Sequence, residues 1–67
     1  MKINRVKLIS EMAQKNIRLY KLCEMSGVSK ATLSAVRNGK SCTYETALKI
    51  AKALNLNVAD LIEESEG

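Results

Sequence analysis

The sequence predicts an all-α fold, a compact bundle of five short helices. Three observations carry that prediction. The 67 residues contain no proline and only three glycines, too few for the many tight turns of a small β fold. Apolar residues recur at three- and four-residue intervals in one segment after another. Phenylalanine and tryptophan are absent, so the core must be aliphatic, built from leucine, isoleucine, valine, methionine and alanine. One domain is expected over residues 1–67, and a domain of this size buries only ~60% of the surface its unfolded chain exposes.

The first helix is expected over residues 4–15. Val6, Ile9 and Ala13 follow the helical spacing, Leu8 and Met12 form a second pair four residues apart, and together they make one broad apolar face. Asn16 is the expected terminator, and Ile17 is expected to insert between helices. The second helix covers residues 19–25, with Leu22 and Cys23 inward. Gly27 ends it, because a tight turn needs a residue free to adopt positive φ, and Val28 plugs that turn.

The third helix covers residues 30–38. Ser29 is its N-cap, offering an oxygen to an early backbone N–H, and Asn38 and Gly39 close it. Only Leu33 and Val36 point inward. Lys30, Ala31, Thr32, Ser34, Ala35 and Arg37 leave a wide face of small and polar residues, fit either for solvent or for a partner. The fourth helix, residues 44–54, is capped by Thr43; Tyr44, Ala47, Leu48, Ala51 and Leu54 form its expected core stripe, widened by Ile50. The fifth covers residues 58–63, with Asn57 as cap, Asp60 in the first turn, and Val58, Leu61 and Ile62 as its apolar face. Residues 63–67 form an acidic tail.

Charge is unevenly spread along the chain. All eleven Lys and Arg lie before residue 53 and are opposed before residue 60 only by Glu11, Glu24 and Glu45, a balance of +8; Asp60, Glu63, Glu64 and Glu66 then contribute −4. A basic body with an acidic end points to an anionic partner for the body, or else to a plain solvated surface. Cys23 and Cys42 are nineteen residues apart, with no Cys-x-x-Cys and no histidine, so the common zinc patterns are missing. Both cysteines are expected reduced in a cytoplasmic setting, Cys23 as a small packing residue and Cys42 in a loop. No signal peptide is visible, and no apolar run approaches the ~20 residues that span a bilayer. Without histidine there is no Ser-His-Asp set, and no Gly-x-x-x-x-Gly-Lys phosphate loop occurs. Neither an enzyme, a cofactor, a metal nor a small-molecule ligand is expected. Tyr20 and Tyr44 form no stacking platform for single strands or RNA.

Residues 19–39 hold the most informative pattern: two short helical segments flank Gly27, and the second is small, polar and basic. That is the outline of a helix-turn-helix, whose second helix enters the DNA major groove. Arg18 and Lys21 stand at the positive end of the second helix, where a cation costs a few tenths of a kcal/mol unless an anion such as a phosphate binds there. Lys30 is placed to donate to guanine O6 and N7, and Ala31 and Ala35 either to pack on thymine methyls or simply to allow close approach. Lys40 and Arg37, at the far end of the third helix, are candidate phosphate clamps.

The chain resembles the Cro and phage-repressor type helix-turn-helix proteins, the Xre-like family, over roughly residues 8–62. Leu22 and the small Cys23 match its Leu-Ala pair. Gly27, Val28 and Ser29 match its Gly-Val-Ser turn, and Thr32, Leu33 and Ser34 match the start of its recognition helix. Asn38, Gly39 and Lys40 match its following loop. Leu48, the run from Ile50 through Ala51, Lys52 and Ala53 to Leu54, and the pair Asp60 and Leu61 match its later helices. The resemblance implies a lambda-repressor-like domain that binds double-stranded operator DNA as a homodimer. It implies base contacts from Lys30, Ala31, Ser34 and Ala35. Phosphate contacts are implied from Arg18, Leu19 and Lys21 at the start of the second helix, and from Thr32, Asn38 and Lys40. The chain departs from the pattern at Arg18 and Leu19, where the family often has Ser or Thr and then Gln. It also departs at Ser26 (commonly apolar), Arg37 (commonly Glu) and Cys42 (commonly Pro). The expected function is a transcriptional regulator, a repressor, with Leu56, Val58 and Ile62 as candidates for the dimer surface. The alternative is a protein-interaction module on the same fold, such as an antitoxin or adaptor.

Overall fold

Among the described residues three helices begin at a capping side chain and four end at a residue with positive φ. The computed structural model describes residues 1–63 and contains α1 (Arg5–Gln14), α2 (Leu19–Ser26), α3 (Lys30–Arg37), α4 (Tyr44–Ala53) and α5 (Val58–Leu61). Asn4, Ser29 and Thr43 cap α1, α3 and α4 by accepting from the N–H groups of Lys7, Thr32 and Thr46. The C-terminal ends of these same three helices share one solution. Asn16, Gly39 and Asn55 have positive φ, and the residue after each donates back across the last turn: Ile17 to Met12, Lys40 to Ala35, Leu56 to Ala51. This Schellman arrangement satisfies carbonyls that would otherwise lack partners.

The boundaries lie within one residue of those expected, except that α5 stops at Leu61, two residues short of Glu63. Asn57 occupies its N-cap position without a side-chain cap bond; the single turn is held instead by backbone bonds from Asp60 N–H to Asn57 and from Ile62 N–H to Val58. Of the acidic tail, the residues after Glu63 lie outside the described residues.

The core draws on every helix. Leu8, Leu22, Leu33, Val36, Ile50, Leu54 and Leu61 are fully buried, where α2 packs on α3 and α4, α4 on α5, and α1 on α3. Cys23 and Ile17 are half-buried against them, as expected. Two expectations about faces fail. Val6 is 78% exposed, Ile9 is half exposed and Ala13 is exposed, while Leu8, Glu11 and Met12 are the buried line of α1. At about 100° per residue the two apolar lines lie roughly 110° apart around the helix, and only the Leu8 line is buried. Tyr44 is likewise 53% exposed and Leu48 half-buried, because the buried stripe of α4 is centred on Ala47, Ile50, Ala51 and Leu54.

The segment before α1 is also structural, which the periodicity did not indicate. Ile3 is buried and forms an antiparallel bridge with Ile62; Asn4 N–H donates to the Leu61 carbonyl and Glu63 N–H to that of Lys2, both at 2.8 Å. Glu11 is the buried charged group, placed between Lys7 at 3.3 Å and Lys15 one turn to either side. Hydrogen bonds from Lys15 and then Lys7 hold its carboxyl below the usual glutamate range, against the opposing pull of desolvation.

Candidate nucleic-acid interface

The turn between α2 and α3 is set by three adjacent residues. Gly27, at φ 76°, adopts the left-handed conformation that ends α2, and its N–H donates to Cys23. The Ser26 hydroxyl donates to the Leu22 carbonyl at 2.7 Å and accepts from Val28 N–H at 3.2 Å. That double role accounts for a serine where an apolar residue was the familiar choice. Val28 is then buried under the turn. The angle between the two helices therefore rests on local hydrogen bonds as well as on packing.

The buried residues of α3 are Leu33 and Val36 alone. At about 100° per residue, the opposite side of the helix carries Ala31, Ser34, Ala35 and Asn38, with Lys30 and Arg37 on one flank and Thr32 on the other. The first turn of α3 is tied twice: Ser29 Oγ accepts from Thr32 N–H and donates to Thr32 Oγ1 at 2.9 Å. The Thr32 hydroxyl keeps its own proton for an outside acceptor.

The expected phosphate-contacting residues do not form one cluster. Arg18, Leu19 and Arg37 come together in a groove of about 340 Å³ floored by Ile9, Met12, Ala13 and Ile17. No side chain caps α2. The N–H groups of Leu19, Tyr20 and Lys21 have no acceptor among the described residues, because the first backbone bond of the helix is from Leu22 to Arg18. The Leu19 side chain packs against the core, so its contribution to an anion is its backbone N–H. Lys21 is exposed and lies 3.8 Å from Glu24.

Ala31, Thr32, Ala35 and Lys40 line a second groove of about 390 Å³ on the other side of α3. Its remaining walls are Val36, Ser41, Cys42, Thr43 and Thr46. Lys30, Ser34 and Asn38 lie in neither groove; Lys30 and Asn38 are exposed and Ser34 half-buried. Ser41, Thr43 and Thr46 are polar neighbours of the outward face of α3 that sequence reading missed. The capping pattern at Thr43 was the only local sign of them, and it spoke of helix stability rather than of a site. Lys40 stands where the other two Schellman ends carry Ile17 and Leu56, both packed on the core. An exposed lysine at that position forgoes an apolar contact and leaves a cation beside α3. Burial pushes the Cys42 thiol up, so at neutral pH it is protonated and a poor nucleophile; Cys23 and Cys42 are both free.

A rigid turn that presents a small-residue helix face, flanked by cations and an uncapped helix start, defines a helix-turn-helix DNA-binding module. A family profile described as the Cro/C1-type HTH DNA-binding domain matches residues 7–65, and the chain belongs to that family. Comparison with curated proteins and with solved structures returned no match. Among the described residues no helix is long and apolar enough to cross a membrane.

Proposed function

We propose that the protein is a sequence-specific regulator of transcription, a repressor, that reads the major groove of duplex DNA with α3. The observation that carries this reading is the outward face of α3. It is made of Ala31, Ser34, Ala35 and Asn38, small enough for the helix backbone to approach base edges, and Arg37 and Lys40 stand at its end. In this reading Lys30 donates to guanine, for about 1–3 kcal/mol of discrimination. Ala31 and Ala35 meet thymine methyls, and Ser34 adds a weakly selective hydrogen bond. Arg18, the N–H groups of Leu19 and Lys21, Thr32, Arg37, Asn38 and Lys40 hold phosphates on either side. With so few long side chains facing the bases, part of the selectivity comes from the shape of the DNA.

The working species in this proposal is a cytoplasmic homodimer, reading two half-sites about 34–36 Å apart. Leu56, Val58 and Ile62 spend part of their surface on the protein's own core and keep part exposed for a second copy. One observation favours the protein-interaction reading instead: the exposed Val6 and Ile9 on α1, an apolar line that nothing in the chain covers among the described residues. Selection of bound sequences from a random duplex library at two salt concentrations separates the two. A palindromic motif that survives the higher salt is the expected result. Binding that moderate salt abolishes, with no motif enriched, leaves only phosphate attraction and favours the interaction module.

A further inference from the structure

A third groove, of about 290 Å³, lies beyond the end of α3 and is lined by Lys2, Ile3, Arg5, Asn38, Gly39 and Glu63. Arg5 lies along Gly39 so closely that a Cβ built on the glycine would sit 3.6 Å from its Cδ, 3.7 Å from Nε and 3.9 Å from Cζ. That contact joins the start of α1 to the loop that follows the recognition helix. Among the described residues neither Arg5 nor Lys2 has an ion-pair partner within 4.0 Å, and Glu63 is the one acid in the groove. Among the described residues, two cations line the groove against one carboxylate.

The strand-like segment that carries Lys2 and leads into Arg5 is held firmly. Ile3 is buried, and backbone bonds tie Asn4 to Leu61, Lys2 to Glu63 and Met1 to Cys42. The Cys42 bond brings the segment against the same loop that carries Lys40. Lys2 and Arg5 are thus placed beside Asn38 and Gly39 by the fold, and a preorganised cation loses less entropy when it meets an anion.

We propose that this groove holds a backbone phosphate of duplex DNA, with Arg5 as its principal ligand and Lys2 as the second. The proposal rests on the reading of α3 as the DNA-facing helix, and it extends the footprint from that helix onto α1 and the segment before it. The phosphate held here neighbours the one at Asn38 and Lys40.

The test is the salt dependence of duplex affinity for the wild type, Arg5→Gln, Arg5→Lys and the Lys2→Gln/Arg5→Gln pair. One lost phosphate contact flattens the slope of log affinity against log salt by about 0.9, so between 50 and 200 mM salt the Arg5→Gln protein should lose about 3.5-fold less affinity than the wild type. Arg5→Lys should restore most of the slope, and the pair should flatten it further. Arg5→Gln removes a cation from the positive end of α1, so folding is not at risk. A guanidinium that merely packs on Gly39 would change the melting temperature and leave the slope alone. An unchanged slope in Arg5→Gln overturns the proposal, as does binding of inorganic phosphate at Arg5 and Gly39 with DNA affinity unaffected by the substitution. A wild type that binds no duplex removes this proposal together with the reading of α3; a wild type that binds, with an unchanged Arg5→Gln slope, removes this one alone.

Discussion

Ser26→Ala is the sharpest test of how the turn is held. The substitution deletes one oxygen that serves two backbone groups: the Leu22 carbonyl at 2.7 Å and Val28 N–H at 3.2 Å. The carbonyl lies inside α2, where the helix offers it a second partner, so most of the cost falls on Val28 N–H. Leaving a buried donor unpaired costs about 1–3 kcal/mol, and the half-buried setting of Ser26 admits water that recovers part of it. Alanine returns up to ~0.5 kcal/mol through its better helix propensity, less at a last helical residue. The net expectation is a loss of about 1 kcal/mol, which for a chain of this size lowers the melting temperature by about 4–8 °C. Urea unfolding followed by circular dichroism measures it, with Ser41→Ala as the control, since Ser41 is exposed and has no side-chain hydrogen bond among the described residues. A Ser26→Ala protein whose midpoint is unchanged or raised at constant m-value refutes the reasoning, for it means that packing of Val28 alone holds the turn.

The assignment of faces on α1 predicts that Leu8→Ala costs about 2–5 kcal/mol while Val6→Ser stays within about 0.5 kcal/mol; comparable losses in denaturant titrations of the two would contradict the buried Leu8 line. Lys40→Ala should weaken all duplexes alike and flatten the salt slope by about one unit, whereas Lys30→Ala should change which bases are preferred. Parallel binding-site selections on the two variants check this, and a Lys40→Ala loss confined to one sequence counts against the phosphate role. Glu11 is depressed in the folded state, so the stability it adds is present in full above the ordinary glutamate value of about 4.3 and is lost as pH falls through the lower folded value. Glu11→Gln should therefore flatten the acid limb of the stability profile. An acid limb identical to that of the wild type would show that Lys7 and Lys15 do not hold the carboxylate in solution.

Much of this molecule was legible because its signals are local. Ser29 and Thr43 cap the helices they precede, Gly27 and Gly39 adopt the positive φ their positions demand, and Leu33 and Val36 are the narrow buried strip of α3. Each depends on residues within four positions of one another, the reach of a helical turn. The apolar lines of α1 were harder to read. Periodicity reports that Val6, Ile9 and Ala13 share a side and that Leu8 and Met12 share another, but the choice between them belongs to the tertiary packing, in which the distant α3 meets α1. Tyr44 was misread for the same reason, since Ile50 and Leu48 compete for the centre of α4 and the packing of α2 and α5 decides between them.

The candidate interface divides along the same boundary. The sequence alone determined that α3 would bury little of itself, where it would start and stop, and which family the turn resembles, because these follow from side-chain chemistry over a few consecutive residues. Only the tertiary structure decided that Arg18 and Arg37 would share a groove, that Thr43 and Thr46 would stand opposite Ala31 and Ala35, and that Arg5 would lie on Gly39. Those neighbours are brought together by the close packing of the core and by the bridge between Ile3 and Ile62. Close packing selects one arrangement from the many that a periodic pattern allows, and no short window of sequence contains that choice.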